Sequence, residues 1–410
     1  MALDGLLEVV GKRLAKLRAD GLAKGSEKVI CEVVPAAAGK GPRYRLAGYG
    51  ERRFLRMNSN SYLGLSLHPE VIAAAETAMR HFGSGPGAVR FISGTCQPHI
   101  ELEKELARFH GRNACMLFSA AYAAVLGVLP QLITSETVVL SDALNHNSII
   151  NALHLAVPAK KAVYHHLDMG DLEYLIKEYV GKARRLLVVS DGIFSMRGDY
   201  VPLSELVEIC RRYEKHFVEG IVTVVDDSHG VGALGESGRG VEEVCRVRAD
   251  ILVATLGKAF GVNGGYVVAP QTIIDYLRES APFYIYSNPL SPAEAAAALA
   301  ALRLLESPEG RERLNRIRFL TRRFDAGVTA LGYEIIPGPH PIVPLMIRDS
   351  EKTAALVEHL LAHDILVTGL NYPVVPKGDE EIRFQISADL TKDDIDQVLN
   401  VLKDFGATGK

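Results

Sequence analysis

The chain has 410 residues, of which 48% are hydrophobic and 23% are charged, and its formal net charge is −3 at pH 7. This length and composition favour two or three domains, or one large α/β enzyme with a sizeable core. The nearly neutral charge argues against a nucleic-acid-binding protein, whose surface would carry a basic stripe. No apolar run approaches the roughly 20 residues that a membrane-spanning helix needs. Charged residues also interrupt the apolar positions at the N-terminus, so we expect neither a signal peptide nor a membrane partner.

The cysteines show neither paired spacing nor a metal-binding pattern. They stand at Cys31, Cys96, Cys115, Cys210 and Cys245. An odd and scattered set is typical of a reducing cytoplasm, where each cysteine is expected to be a small buried apolar residue. We therefore predict a cytoplasmic location and no metal site.

The first 62 residues predict an N-terminal helical arm followed by a hairpin. Leucine and valine recur at helical spacing between residues 3 and 24, and the lysines and arginines opposite them predict a solvated face. Segments 44–46 and 53–57 flank a glycine-rich turn, an arrangement typical of a β-hairpin. A polar turn at 58–64 then leads to a helix that begins at Pro69.

A glycine-rich segment at 83–88 has the outline of a dinucleotide-binding fingerprint. That fingerprint requires a preceding strand, whereas this segment follows the helix predicted at 69–81. We therefore expect a loop here and no nicotinamide cofactor.

Helices and strands alternate from residue 99 onward, within a large domain that we place at 63–298. Predicted helices lie at 99–110, 121–129, 147–156, 172–179 and 203–213. Predicted strands lie at 115–118, 137–140, 162–164, 186–189, 221–225, 251–254 and 266–269. Short apolar strands between helices predict a mostly parallel α/β sheet covered by helices on both faces.

The pattern changes after two long helices at 292–306 and 310–331. Strands are then predicted at 333–336, 343–347, 366–368 and 382–387, with helices at 351–363 and 392–405. This mixture predicts a smaller C-terminal α+β domain, which we place at 299–410.

Polar clusters that contain aspartate follow three of the predicted strands. These clusters are Ser141-Asp142, Ser190-Asp191-Gly192 and Asp226-Asp227. Ligands of open α/β sheets bind in the crevice outside the carboxyl ends of the strands, so the clusters predict a ligand site.

Lys258 lies between two β-rich apolar runs, in a turn that contains four glycines. A desolvated lysine can lose its proton and attack a carbonyl group. Asp226 lies thirty-two residues upstream, at the end of a continuous apolar run. A Schiff-base lysine together with a carboxylate for a pyridinium nitrogen is the signature of pyridoxal phosphate chemistry.

Beyond this pair, the chain resembles the α-oxoamine synthase family, fold type I pyridoxal phosphate enzymes that join an amino acid to an acyl-CoA. The resemblance extends from residue 58 to the last helix. It rests on segments 58–65, 83–90, 93–95 with His99, 141–150, 190–198, 225–230, 254–266 and 382–387. The family's homodimer with shared active sites is implied for this chain as well.

The resemblance implies roles for the residues at matching positions. Lys258 would hold the cofactor as an imine and then act as the base at the amino-acid Cα. Asp226 would pair with the protonated pyridine nitrogen, His146 would stack on the ring, and His229 would bond the phenolic oxygen. The structural alternative for each histidine is a role in packing alone.

Further matches would bind the phosphate and the substrate. For the phosphate, they are the backbone N–H groups of Ala121 and Tyr122, the hydroxyl of Thr255 and, from the partner subunit, Ser287 and Asn288. For the substrate carboxylate, they are Arg383 with its helpers Asn60 and Ser195. The alternative for Arg383 is an ion pair with Glu380 or Glu381 at the surface.

The chain departs from the family pattern at Ala121, where glycine is usual, and at Val125, where asparagine is usual. Segments 142–146, 194–196, 226–229 and 372–378 resemble the branch that condenses glycine with acetyl-CoA, whereas the turn at 259–265 resembles other branches. Alternatives are therefore alanine with a pimeloyl chain, serine with a palmitoyl chain, or a non-catalytic partner subunit of the same fold.

Overall fold

The computed structural model of the chain describes residues 2–20, 22–23, 27–372 and 374–408. Its helices are α1 (Ala2–Ala19), α2 (Pro69–Phe82), α3 (Gln97–His110), α4 (Ala121–Leu132), α5 (Asn147–Leu155), α6 (Met169–Tyr179), α7 (Leu203–Tyr213), α8 (Val241–Cys245), α9 (Gln271–Ser280), α10 (Pro282–Ile285), α11 (Pro292–Glu306), α12 (Pro308–Ala330), α13 (Ser350–Ala362) and α14 (Lys392–Thr408). Its strands are β1 (Ile30–Val34), β2 (Arg43–Leu46), β3 (Leu55–Arg56), β4 (Ala114–Phe118), β5 (Thr137–Asp142), β6 (Lys160–Tyr164), β7 (Arg185–Asp191), β8 (Ile221–Asp226), β9 (Ile251–Thr255), β10 (Gly265–Ala269), β11 (Glu334–Ile335), β12 (Ile342–Met346), β13 (Ile365–Leu366), β14 (Gly369–Leu370) and β15 (Glu381–Gln385).

The largest sheet has seven strands in the order β4-β10-β9-β8-β7-β5-β6. The strands from β9 to β6 are parallel, whereas β10 pairs antiparallel with both β4 and β9. This arrangement confirms the predicted mostly parallel sheet. Most residues of these strands are buried, as expected of a sheet with helices on both faces.

Alternate side chains of the central strands enter two apolar clusters, one on each face of the sheet. Val138 and Leu140 of β5 pack in the cluster that includes α3, α7 and α11, whereas Val139 packs in the cluster that includes α4, α5 and α9. Fully burying one such side chain contributes about 1.5–3 kcal/mol. The two clusters therefore hold the strand ends, and the side chains that follow them, in fixed positions.

The strands with predicted polar ends are neighbours in this sheet. β5 ends at Asp142, β7 at Asp191 and β8 at Asp226. Asp191 and Asp226 are paired in register. The structure thus brings the predicted clusters to one edge of the sheet.

The C-terminal part contains a four-stranded antiparallel sheet in the order β11-β12-β15-β14, with α13 and α14 packed nearby. This confirms the predicted smaller α+β unit. The boundaries at 62/63 and 298/299 stay predictions. The short strand β3 pairs in parallel with β13, so the segment before residue 62 also contacts the C-terminal part.

The N-terminal prediction is wrong in two respects. Segments 44–46 and 53–57 do not form a regular hairpin, because only Tyr44 and Phe54 form a bridge between them. β2 pairs instead with β1, a largely exposed strand that was not predicted because its apolar residues show no clear alternation. Helix α9 was also missed, since it buries only Ile274 and Leu277.

Helix α1 ends at Ala19, and positions 21 and 24 of the predicted helix lie outside the described residues, as does position 373 of segment 372–378. Its basic face is exposed as predicted, and its apolar side chains are exposed as well.

Among the cysteines, Cys115 and Cys210 are buried as predicted. The prediction is wrong for Cys31, which is exposed on β1, and for the half-buried Cys96 and Cys245. Of the helices described, none is long and apolar enough to cross a membrane.

Candidate active site

A cavity of about 240 Å³ lies outside the carboxyl ends of β7, β8 and β9. Its lining residues are Ala120, Ala121, Tyr122, His146, Ser148, Asp191, Ile193, Ser195, Asp226, Ser228, His229, Thr255 and Lys258. Eight of the twelve predicted site residues are in this set. Segments far apart in the chain therefore meet in one place, at the sheet edge where ligands of open α/β sheets bind.

Lys258 lies in the turn between β9 and β10. The turn is closed by hydrogen bonds from Leu256 N–H to the Gly264 carbonyl (2.9 Å) and from Gly261 N–H to the Lys258 carbonyl (3.0 Å). Gly261 has a φ of +71°, and a Cβ there would lie 2.3 Å from the Ser66 nitrogen, so this position requires glycine.

The environment of the Lys258 amine favours its neutral form. Burial lowers the pKa of Lys258 to about 8, although Asp226 and Asp191 oppose this shift. An amine with a pKa close to neutral is available as a nucleophile or as a base, which an ordinary lysine is not.

The two adjacent acids after β8 have different surroundings. Asp226 lines the cavity, and its Oδ1 accepts hydrogen bonds from the Ser228 N–H (3.1 Å) and hydroxyl (2.5 Å). Asp227 is fully buried, and its Oδ2 accepts a hydrogen bond from the Val241 N–H (2.7 Å). Asp227 therefore holds the loop before α8, and Asp226 is the acid available to a ligand.

His146 is the N-cap of α5, and its Nδ1 lies 2.8 Å from the Ser148 hydroxyl. Its backbone N–H donates to Asp191 Oδ2 (3.1 Å), which joins the loop after β5 to the end of β7. Burial lowers the pKa of His146, and among the charged neighbours Asp226 raises it and Lys258 lowers it further. A neutral imidazole at the cavity wall is suited to stacking on an aromatic ring.

His229 lies on the cavity wall and is held by groups from outside it. Its Nδ1 is 2.7 Å from the Tyr62 hydroxyl, and its backbone carbonyl accepts a hydrogen bond from His340 Nε2 (2.8 Å). Burial, followed by the charge of Lys258, lowers the pKa of His229 well below its usual value. Because Nδ1 is engaged with Tyr62, Nε2 is the nitrogen available to a ligand.

Helix α4 begins at Ala121 and has no side-chain cap, since Ala120 occupies the N-cap position. The N–H groups of Ala121 and Tyr122 lie in its first turn, where the helix itself supplies no acceptor. Such a turn binds anions. Gly265 allows this close approach, because a Cβ there would lie 2.2 Å from the Ala121 nitrogen.

The departures from the family pattern are compatible with this geometry. Ala121 is helical and has a negative φ, so it can present its N–H as glycine would. Val125 is buried in the apolar cluster below the sheet and does not line the cavity. The hydroxyl of Thr255 lines the cavity, donates its proton to the Gly264 carbonyl (3.0 Å) and accepts from Gly257 N–H (3.0 Å), so a contact with phosphate requires the proton to turn away from Gly264.

Arg383 and Asn60 lie next to the cavity rather than in its wall. Arg383 Nη1 donates to the backbone carbonyl of Ser195, a lining residue, at 2.7 Å. The alternative ion pair with Glu380 or Glu381 does not form within the described chain. Asn60 Oδ1 lies 3.4 Å from the Tyr62 hydroxyl, the group that also contacts His229.

Ser287 and Asn288 do not line this cavity. They follow α10, where Ser287 is half-buried and Asn288 is exposed. A role for these two residues at a phosphate thus requires a second subunit and stays a prediction.

Several residues near the site were not predicted. Asp191 and Ser228 line the cavity; Asp191 belongs to a strand-end polar cluster of the sequence, and Ser228 directly follows the cluster Asp226-Asp227. Tyr62 stood in the polar turn at 58–64. His340 contacts the site from the C-terminal part, and no motif in the sequence marked it.

The residues present fit pyridoxal 5′-phosphate. The site offers an amine with a lowered pKa, a carboxylate for a ring nitrogen, two histidines with lowered pKa values and, for a phosphate, the N–H groups in the first turn of α4. Asp191 Oδ1 is in addition a buried oxygen without a hydrogen-bond partner among the described residues. When bound, the cofactor supplies an electron sink for a carbanion at the amino-acid Cα.

Comparisons with known proteins agree with this geometry. Residues 52–402 match the family model for class I and II aminotransferases. The mitochondrial 2-amino-3-ketobutyrate coenzyme A ligase of Bos taurus is 39% identical over 408 residues, which cover 99% of this chain and 93% of the relative. The 8-amino-7-oxononanoate synthase of Fervidobacterium nodosum is 39% identical over 360 residues, which cover 87% of this chain and 89% of the relative.

A similar solved structure is the serine palmitoyltransferase of S. paucimobilis, which contains PLP and myriocin. It has a TM-score of 0.87 and 27% sequence identity, and the match covers 98% of both chains. Because relatives of this kind match nearly the whole chain, the chain belongs to the α-oxoamine synthase family of pyridoxal-phosphate-dependent C-acyltransferases.

Proposed function

We propose that this enzyme condenses glycine with an acyl-CoA, with acetyl-CoA as the favoured donor, to give 2-amino-3-oxobutyrate and CoA. The observation that carries the proposal is the extent of the match to 2-amino-3-ketobutyrate coenzyme A ligase, which covers 99% of this chain. The equally identical 8-amino-7-oxononanoate synthase matches 87%. The activity is that of a glycine C-acetyltransferase.

The proposed reaction forms a bond between the glycine Cα and the acyl carbonyl carbon and breaks the carbon–sulfur bond. Lys258 takes the Cα proton, and CoA leaves as the thiol. When the cofactor is bound, Asp226 would stabilise positive charge on its ring nitrogen, His146 would pack against its ring and His229 would donate a hydrogen bond to its phenolic oxygen. Arg383 binds the carboxylate, which this product keeps.

The second candidate is another activity of the same family, either 8-amino-7-oxononanoate synthesis or serine palmitoyl transfer. The equal identity to the Fervidobacterium nodosum enzyme favours the first of these, and the fold similarity to serine palmitoyltransferase favours the second. A non-catalytic partner subunit has no support at Ala121 or Val125, because neither residue removes a group from the cavity. The cytoplasmic location stays a prediction.

The substrates are tested by measuring thiol release from acetyl-, pimeloyl- and palmitoyl-CoA, each with glycine, alanine and serine. Glycine with acetyl-CoA is expected to give the highest kcat/KM. A higher value for alanine with pimeloyl-CoA, or for serine with palmitoyl-CoA, would assign the enzyme to another branch while leaving the family chemistry intact.

Changing Arg383→Leu is expected to raise the KM for the amino acid by at least 100-fold and the KM for acyl-CoA little. The reason is that a carboxylate left without its buried partner costs about 3–5 kcal/mol, and each 1.4 kcal/mol is a factor of about ten. Arg383→Lys should recover little, because lysine cannot form the bidentate contact.

Arg348→Leu is the matched control, since Arg348 is a surface arginine of the same sheet region that pairs with Glu334. Equal effects of Arg383→Leu and Arg348→Leu on the amino-acid KM would contradict the carboxylate role.

We also propose a homodimer in which Ser287 and Asn288 complete the partner's phosphate site. Two observations support it. First, neither residue lines the cavity of its own subunit. Second, apolar side chains are exposed on α1 and next to α10, where Leu3 is 60% and Tyr286 80% exposed. Exposed apolar surface of this kind marks association sites.

Mixed dimers test the shared sites. Lys258→Ala and Ser287→Ala subunits, each with little activity alone, are expected to regain up to about a quarter of the wild-type activity when co-folded at random, because about half of the dimers are then mixed and one of the two sites in each mixed dimer is free of both changes. A Lys258→Ala and Thr255→Ala mixture is the control, since both residues line the cavity of one subunit. Each site of that mixed dimer carries one of the two changes, so no activity should return. Sedimentation of a fully active monomer would refute the dimer.

A further inference from the structure

His166 lies between two loops that carry site residues, although it does not line the cavity itself. The first, the His146 loop, comprises residues 142–146 after β5. The second, the Ser195 loop, comprises residues 193–200 after β7. The side chain of His166 is 17% exposed and contacts both loops.

On one side, His166 binds the first residue of the His146 loop. Its Nδ1 lies 2.9 Å from Asp142 Oδ1, which also accepts the Leu144 N–H at 2.8 Å. Asp142 Oδ2 accepts the N–H of Leu167, the neighbour of His166, at 2.9 Å. The side chain of Asp142 is fully buried, so these contacts fix where the His146 loop leaves β5.

On the other side, His166 binds the Ser195 loop. Its Nε2 lies 3.2 Å from Asp199 Oδ2, and its ring packs edge-on against Phe194 with centroids 4.4 Å apart. The Phe194 N–H in turn donates to the Asp199 carbonyl at 3.0 Å, which closes the loop. The next residue, Ser195, presents the carbonyl that accepts the Arg383 hydrogen bond.

The two contacts require a charged imidazole, because both ring nitrogens must donate to carboxylates. Burial opposes this charge, but the hydrogen bonds to Asp142 and Asp199 outweigh it and raise the pKa of His166 to about 9. The charged groups that face it are Asp142 from β5 and, from the Ser195 loop, Asp199 with its partner Arg197 (2.8 Å). Tyr164 of β6 lies beside Asp142, and burial raises its pKa, so that it stays neutral.

We propose that His166 is a positioning residue that connects the two loops and thereby holds the Ser195 carbonyl where it orients Arg383 for the substrate carboxylate. This inference rests on the proposed role of Arg383. His166 has no contact with the reacting atoms, so its effect should appear in amino-acid binding and not in acyl-CoA binding.

The test compares His166→Gln with His165→Gln in the PLP-loaded enzyme. His165 is the adjacent residue, is exposed and also bonds an aspartate, Asp171, so it controls for loss of a histidine–carboxylate contact alone. His166→Gln has one donor nitrogen in place of two and carries no charge. We expect it to raise the dissociation constant for glycine about tenfold, measured from the cofactor absorbance, with the acyl-CoA KM changed less than twofold.

The pH dependence gives a readout that a purely structural role would not change. In the wild type, glycine affinity should fall as pH rises through about 9, because the imidazolium loses the proton that one of its carboxylate contacts needs. His166→Gln lacks the titrating group, so its glycine affinity should not show this step. The affinities of variant and wild type should therefore differ by a constant factor below pH 8 and should become equal above pH 10.

Asp199→Asn provides an independent check, and its effect on glycine binding should not add to that of His166→Gln. The proposal is overturned if His166→Gln leaves glycine affinity unchanged. It is equally overturned if the affinities for glycine and for acyl-CoA both fall and the melting temperature falls with them. If the wild type turns over no glycine and acyl-CoA pair, the proposed function fails, but amino-acid titration of the cofactor absorbance still decides the role of His166.

Discussion

Three carboxylates meet at one edge of the central sheet, and the site depends on how their charges are compensated. Asp142, Asp191 and Asp226 end three adjacent parallel strands, and all are buried. Burial and mutual repulsion disfavour three unpaired charges at this spacing. Each acid therefore needs its own partner.

The compensation differs for each acid and determines what each one can do. Asp142 contacts His166, which holds a proton between two carboxylates. For Asp191, burial and the nearby Asp226 raise the pKa well above its usual value, although His146 N–H donates to it. Asp226 lines the cavity wall, as does Lys258, whose amine is the nearby basic group. Asp226 is thus the acid that we assign to a cationic ring nitrogen, while Asp142 and Asp191 accept hydrogen bonds that hold loops.

Much of this arrangement could be predicted from the sequence, because it depends on local patterns. Apolar runs that end in aspartate marked three strand ends, and the glycines around Lys258 marked a tight turn between two strands. The resemblance added His146, His229, Ala121 and Tyr122, which the structure brings to the same cavity.

The remaining features depend on contacts between distant segments, which no local pattern encodes. Tyr62 and His340 reach His229 from positions 167 and 111 residues away. His166 gains its role only because β5 and β7 are neighbours in the sheet. Strand β2 pairs with β1 and strand β3 with β13, so the regular hairpin predicted from the glycine-rich turn between segments 44–46 and 53–57 does not form. A phosphate-binding role for Ser287 and Asn288 stays a prediction, because it requires a second subunit and the sequence of one chain does not place that subunit.

The central claim is that Lys258 is the residue that binds the cofactor covalently. The direct measurement is borohydride reduction of the enzyme loaded with pyridoxal phosphate, followed by proteolysis and mass spectrometry of the labelled peptide. We predict that the reduced cofactor is found on the peptide that contains Lys258, and that Lys258→Ala, with an unchanged circular dichroism spectrum, carries none. A reduced adduct on another lysine, or an unmodified Lys258 in enzyme that retains activity, would contradict the account.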